Sequence, residues 1–163
     1  MLDQGSKYLA ELYAPTQAEQ VVIPNFLSIK KIYNKGAGWG MFSNATWMLV
    51  VISAIATVVI AYFLMQNDWK KHKFRSIIVC LLFAGCVGNL YDRLVSILPF
   101  TKAARPGVVD MISWKWFDWL TNAVGAGTTI FNVADFMLVT GLVLLIIYLI
   151  GSEVMAHGKN KNK

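Results

Sequence analysis

WMLVVISAIATVVIAYFLM, residues 47–65, runs for nineteen positions without a charged side chain. An α-helix rises about 1.5 Å per residue, so this run matches the ~30 Å hydrocarbon core of a bilayer. Backbone N–H and C=O groups find no water there, and a helix satisfies them internally. The composition agrees: of 163 residues 56% are hydrophobic and 15% charged, too apolar for an ordinary soluble domain. Two cysteines exclude a disulfide scaffold, and no Cys/His cluster has the spacing of a structural metal site. The net charge of +6 is strung between apolar runs rather than gathered into one stripe, so nucleic acid is not implied.

Outward from that run, residues 76–91 (SIIVCLLFAGCVGNLY) are uncharged and end on Asp92 and Arg93, giving a span over 76–93. Residues 128–150 are apolar except for Asn132 and Asp135 and form the last span. The connection 66–75 holds Lys70, Lys71, Lys73 and Arg75, and the tail 151–163 holds Lys159, Lys161 and Lys163. By the positive-inside rule both are cytoplasmic, and the cation-poorer stretches 1–46 and 94–127 lie outside. The amino terminus is then outside, which calls for a first helix that enters from the cytoplasm and ends near Asp3. The expected fold is an all-α integral membrane protein: a four-helix transmembrane bundle with its first helix largely missing from this chain. Residues 1–163 make one membrane-embedded domain. Near-alternation of β-branched and aromatic residues over 20–42, punctuated by Pro24 and glycines, predicts a small extracytoplasmic antiparallel β-sheet. Residues 109–120 (VDMISWKWFDWL) carry three tryptophans and are expected to rest at the lipid–water interface as part of the outer segment.

The unusual polar residues gather at one depth of this topology. Asn89, Asp92 and Arg93 stand at i, i+3 and i+4 at the outer end of one span, Asn132 and Asp135 at i and i+3 of the next. Asp110, Asp3, Lys7 and Asn34 lie on the same side. One structural ion pair between helix ends would account for Arg93 and a single aspartate. Four acids, an arginine, a lysine and three asparagines at one boundary point instead to a site, since ionisable groups at membrane depth are costly unless paired or hydrated. Two facing aspartates in a partly dry site share one proton, because like charges a few Å apart resist joint ionisation. The ionised member takes a proton from water while the other polarises a carbonyl. No zinc-ligand pair or serine nucleophile elbow offers a different hydrolytic chemistry.

DQGSK (3–7), NKGAGWG (34–40), GNLYDR (88–93), VVD (108–110) and FNVAD (131–135) occur in that order. Through them the chain resembles the bacterial lipoprotein signal peptidase, or signal peptidase II, over nearly its whole length. The resemblance implies an aspartyl endopeptidase that cleaves diacylglyceryl-modified prolipoproteins on the amino side of the lipidated cysteine. It implies Asp110 and Asp135 as catalytic. Asn89 and Arg93 fall where the family holds the substrate backbone, and Asn132 where it supports the second aspartate. Asp3, Lys7, Asn34 and Gly36 match pocket-lining or structural positions. No cofactor or metal is implied. The expected partners are lipidated precursors, membrane lipids and globomycin-type inhibitors, and the expected place is the bacterial inner membrane, with the site at its outer face and the C-terminus cytoplasmic. Gly38 and Trp39 replace the more usual alanine and phenylalanine, and the runs 93–110 and 110–135 are longer than in commoner members.

Other readings stay beside this one. A small transporter or assembly factor would use the same acids as an ion or proton site, but transport favours acids near the midplane. A presenilin-like intramembrane protease expects GxGD, which is absent. Cys80 and Cys86 face different ways on one helix and read as packing residues; His72 and His157 lie away from the acids.

Overall fold

The computed structural model describes residues 2–16, 18–36, 42, 45–98, 105–123, 125 and 127–161. Gly38, Trp39 and Lys163 lie outside the described residues. Among the described residues three helices are long and apolar enough to cross a membrane: α2 (Thr46–Met65), α3 (Lys73–Ile97) and the stretch Val133–Met155 of α5 (Val133–Lys161). With a four-stranded antiparallel sheet, they give the expected architecture. α2 buries only Leu49 and Val50 and leaves Val51, Ile52, Ile55, Val58, Tyr62 and Phe63 exposed. A helix apolar all round presents such a surface to lipid. α3 packs between α2 and α5. It approaches α5 closely at Gly85, where an added Cβ would stand 2.6 Å from the Ala134 carbonyl oxygen.

The amino-terminal region departs from expectation. Helix α1 (Leu2–Tyr13) does not end near Asp3 but continues to Tyr13. Asp3, Lys7 and Ala10 recur at helical spacing and are the buried residues, whereas Leu2, Tyr8, Leu9 and Leu12 are exposed. The helix therefore turns its polar face inward and much of its apolar surface outward.

Strands β1 (Gln20–Ile23) and β2 (Leu27–Asn34) form a hairpin through Asn25 at φ 59°. Asparagine tolerates that left-handed conformation better than most residues. Strand β3 (Val108–Trp114) joins β2 with Ile32 opposite Asp110 and Asn34 opposite Val108, and β4 (Ile130–Phe131) closes the order β1-β2-β3-β4. The run expected to rest at the interface is thus a sheet strand over its first half. Its period of two decides this over its tryptophan content: Val109 and Met111 pack on Ala10 of α1, and Asp110 points the other way. Only beyond it, in the turn Lys115–Phe117 and helix α4 (Asp118–Ala123), do Trp116 and Trp119 stand largely exposed. Residues 128–132, expected to be helical, include β4, which pairs with Ile112 and Ser113, so the last helix begins at Val133.

Candidate active site

The start of α5 organises the site. A helix leaves its first N–H groups without partners, and side chains commonly supply them. Asn132 precedes α5 and accepts the Asp135 N–H at Oδ1 (2.9 Å), while Asp135 Oδ2 accepts the Asn132 N–H (3.2 Å). This reciprocal pair is a capping box written with Asn and Asp. The intervening N–H of Ala134 donates to Asp3 Oδ1 of α1 (2.9 Å). The aspartate of FNVAD is thereby fixed by its own helix end, and α1 is tied to the same turn.

Asn132 also reaches the sheet. Its Nδ2 donates to Asp110 Oδ1 (2.7 Å) and to Asn89 Oδ1 (3.2 Å) of α3, and Asn89 Nδ2 donates to Asp135 Oδ1 (2.7 Å). Asp110 and Asp135, one on a strand and one on a helix, are joined through two asparagine amides. Asn34, on the same sheet face as Asp110, donates to Asp110 Oδ2 (3.1 Å) and accepts the N–H of the buried Gly36 at 2.9 Å. Asp110 is 1% exposed. Its carboxyl is pushed up from 3.8 to about 7, first by burial and then by the Asp135 charge. The two asparagine hydrogen bonds and the Lys7 charge oppose that rise.

Behind the pair lies a buried ion network. Lys7, fully buried, contacts Asp3 Oδ2 (2.8 Å), Asp92 Oδ2 (2.7 Å) and Asn89 Oδ1 (3.3 Å). An ammonium out of water needs such partners, since the attraction must offset its desolvation. Gly88 of α3 permits this packing, because an added Cβ would stand 2.6 Å from Asp3 Oδ2. The structure therefore brings Asp3, Lys7, Asn34, Gly36, Asn89, Asp110, Asn132 and Asp135 into one continuous set of contacts. Arg93 departs from its neighbours on α3: Nη1 donates to Ser53 of α2 (3.3 Å), and its buried Nε has no hydrogen-bond partner. Sequence reasoning placed Asn89, Asp92 and Arg93 on one face, but Asp92 turns to α1 and Arg93 to α2.

Gln4 and Arg105 were missed, and both contact Asp92. Gln4 lies in the DQGSK motif and four positions before Tyr8, so helical spacing alone gave it no special mark. Among the described residues no group of three or more His, Cys, Asp or Glu is placed to hold a metal ion.

A family model described as signal peptidase (SPase) II matches residues 1–151. The lipoprotein signal peptidase of Enterococcus faecalis is 36% identical over 161 residues, covering 98% of this chain and 88% of that protein. That of Symbiobacterium thermophilum is 31% identical over 150 residues, covering 92% and 88%. A bacterial membrane enzyme solved at 2.3 Å superposes with a TM-score of 0.72 at 32% identity, covering 93% of this chain and 82% of that one. A second, solved at 1.9 Å, gives 0.68 at 33% identity, covering 90% and 84%.

Proposed function

The chain belongs to the signal peptidase II family, and on that premise we propose that Asp110 and Asp135 are its catalytic pair. The protein is a membrane protease that removes signal peptides from prolipoproteins. The observation that carries the assignment is the bridge from Asp110 through Asn132 and Asn89 to Asp135, which supports two carboxylates from distant parts of the chain at one place.

With its carboxyl raised to about 7, Asp110 carries the shared proton near neutrality. Asp135 takes a proton from the attacking water, and Asp110 gives its proton to the oxygen of the scissile carbonyl as the tetrahedral centre forms. Asn132 and Asn89 keep the two carboxyls oriented without supplying a charge of their own. Arg93, with its unpartnered Nε, and Asn89 bind the substrate backbone; Asn34 and Gly36 shape the wall beside Asp110. Asp3 and Lys7 hold α1 against this wall.

The substrate is a precursor whose cysteine bears a diacylglyceryl group, cut on the amino side of that cysteine. Its acyl chains stay in lipid while the bond is held at the boundary, so position supplies part of the selectivity. The site faces outward from a bacterial inner membrane, and the carboxyl-terminal helix ends in the cytoplasm. Globomycin-type inhibitors compete for the pocket beside Asn89 and Arg93. The test is cleavage of a diacylglyceryl-modified prolipoprotein by the parent and by Asp110→Asn and Asp135→Asn. Either variant keeping near-parent turnover removes the pair from catalysis; an unlipidated precursor cleaved equally well removes the lipid requirement.

A further inference from the structure

We propose that Arg105 is a positioning residue for this reaction, clamping the chain that leads into β3, and so Asp110, to α1 and α3 together. The proposal rests on the reading above that Asp110 reacts. Arg105 Nη1 lies 3.3 Å from Asp92 Oδ1 of α3, and its Nε lies 3.5 Å from Glu11 Oε1 of α1. Asp92 is fully buried, so the ion pair has little competition from water. Glu11 in turn accepts the Tyr33 hydroxyl (2.7 Å) and pairs with Lys31 (3.5 Å), both on β2. The guanidinium therefore joins α3 to α1 and, through Glu11, to the strand that carries Asn34.

The backbone just after Arg105 is held as closely. At Gly107 an added Cβ would stand 2.6 Å from the Asn34 carbonyl oxygen, so the chain touches the β2 backbone before β3 begins at Val108. Asp110 follows three residues later with both oxygens committed to asparagine amides. A shift of the strand start would carry Asp110 away from those donors and from Asp135. Arginine suits the task because its broad guanidinium can donate a hydrogen bond to Asp92 while standing in ion-pair range of Glu11 on a separate element, whereas an ammonium is a single point charge.

Full-length protein in lipid vesicles, assayed on a diacylglyceryl-modified prolipoprotein, tests this through separate kcat and KM values. Misplacement of a reacting group by about 1 Å costs on the order of 100-fold, so Arg105→Gln is expected to lower kcat by roughly 10- to 100-fold with KM nearly unchanged. Arg105→Lys, able to serve one carboxylate, is expected between the two. A kcat for Arg105→Gln within about twofold of the parent, or an effect confined to KM, overturns the proposal. If Arg105→Gln does not fold, Arg105→Lys and Glu11→Gln decide: kcat unchanged in both folded variants overturns it, and a reduced kcat at parental KM supports it. Asp110→Asn in the same assay separates the two failures. An active Asp110→Asn sinks the catalytic assignment, whereas an inactive one beside a fully active Arg105→Gln sinks the clamp alone.

Discussion

Asn132 serves Asp110, Asn89 and Asp135 at once, and no smaller side chain can do so. Replacing it with alanine removes the amide between the two carboxyls and one half of the α5 cap. Loss of one preorganised polar group at a reacting centre costs about 100- to 1,000-fold in kcat, and Asn132→Ala is expected within that range in the prolipoprotein assay. The raised Asp110 carboxyl gives a second prediction. In the proposed mechanism its proton goes to the carbonyl, so turnover is expected to fall as pH rises through about 7. The same shift has a stability sign: the unfolded carboxyl ionises near 3.8, so Asp110 costs folded stability increasingly as pH climbs from there to about 7, and then by a constant amount. Melting of Asp110→Asn against the parent should show the variant gaining over that window and levelling above it; a difference that is flat with pH contradicts the burial of this carboxyl. Asp110 and Asp135 were legible in the sequence because their motifs name them. The separate destinations of Asp92 and Arg93 were not, since neighbours about 100° apart on a helix can each face a different element and only the packing decides which.

Among elements, the spans were the most legible, because an apolar run needs no knowledge of its partners. Helix α2 was expected over 47–65 and runs Thr46–Met65. The ends of the other helices were less so: residues 130–131 are apolar enough to extend α5, yet pairing with β3 draws them into the sheet. Strand β3 itself was hidden by Trp114 and Trp116, whose affinity for interfaces masked the alternation of Val109, Asp110 and Met111. The contact of α3 with α5 depends on glycine in a way the apolar pattern does not display. At Gly85 a methyl group would press on the Ala134 backbone oxygen, which cannot rotate away, and on the Leu138 side chain. Overpacking of this kind costs typically about 1–3 kcal/mol, so Gly85→Ala should lower the melting temperature in detergent. Gly5→Ala is the control, because nothing lies within 4 Å of an added Cβ there. Alanine's better helix propensity, worth up to about 1 kcal/mol, should leave that variant as stable as the parent or more so. Equal behaviour of the two would deny the close approach of α3 and α5.

At the scale of the molecule, the geometry separates two kinds of charge. Asn89 and Asp92 lie toward the carboxyl end of α3, and Asn132 and Asp135 lie at the amino end of α5, so the acids share one end of the bundle. Lys70, Lys71, Lys73 and Arg75 lie at or beside the α2–α3 connection, at the opposite end of α3. On the proposed reading a lipidated precursor keeps its acyl chains in the bilayer, so its scissile bond is available only at a boundary, where the acid-bearing end would meet it. The proposed orientation, in which the basic loop stays in the cytoplasm, has the acids, the sheet and Ala18 outside. With Cys80 and Cys86 replaced by alanine, Ala18→Cys and Lys71→Cys offer exposed reporters on the two sides. A membrane-impermeant maleimide added to intact spheroplasts should label Ala18→Cys at once and Lys71→Cys only after detergent. The opposite pattern would place the carboxylates in the cytoplasm, out of reach of a precursor anchored in the outer leaflet.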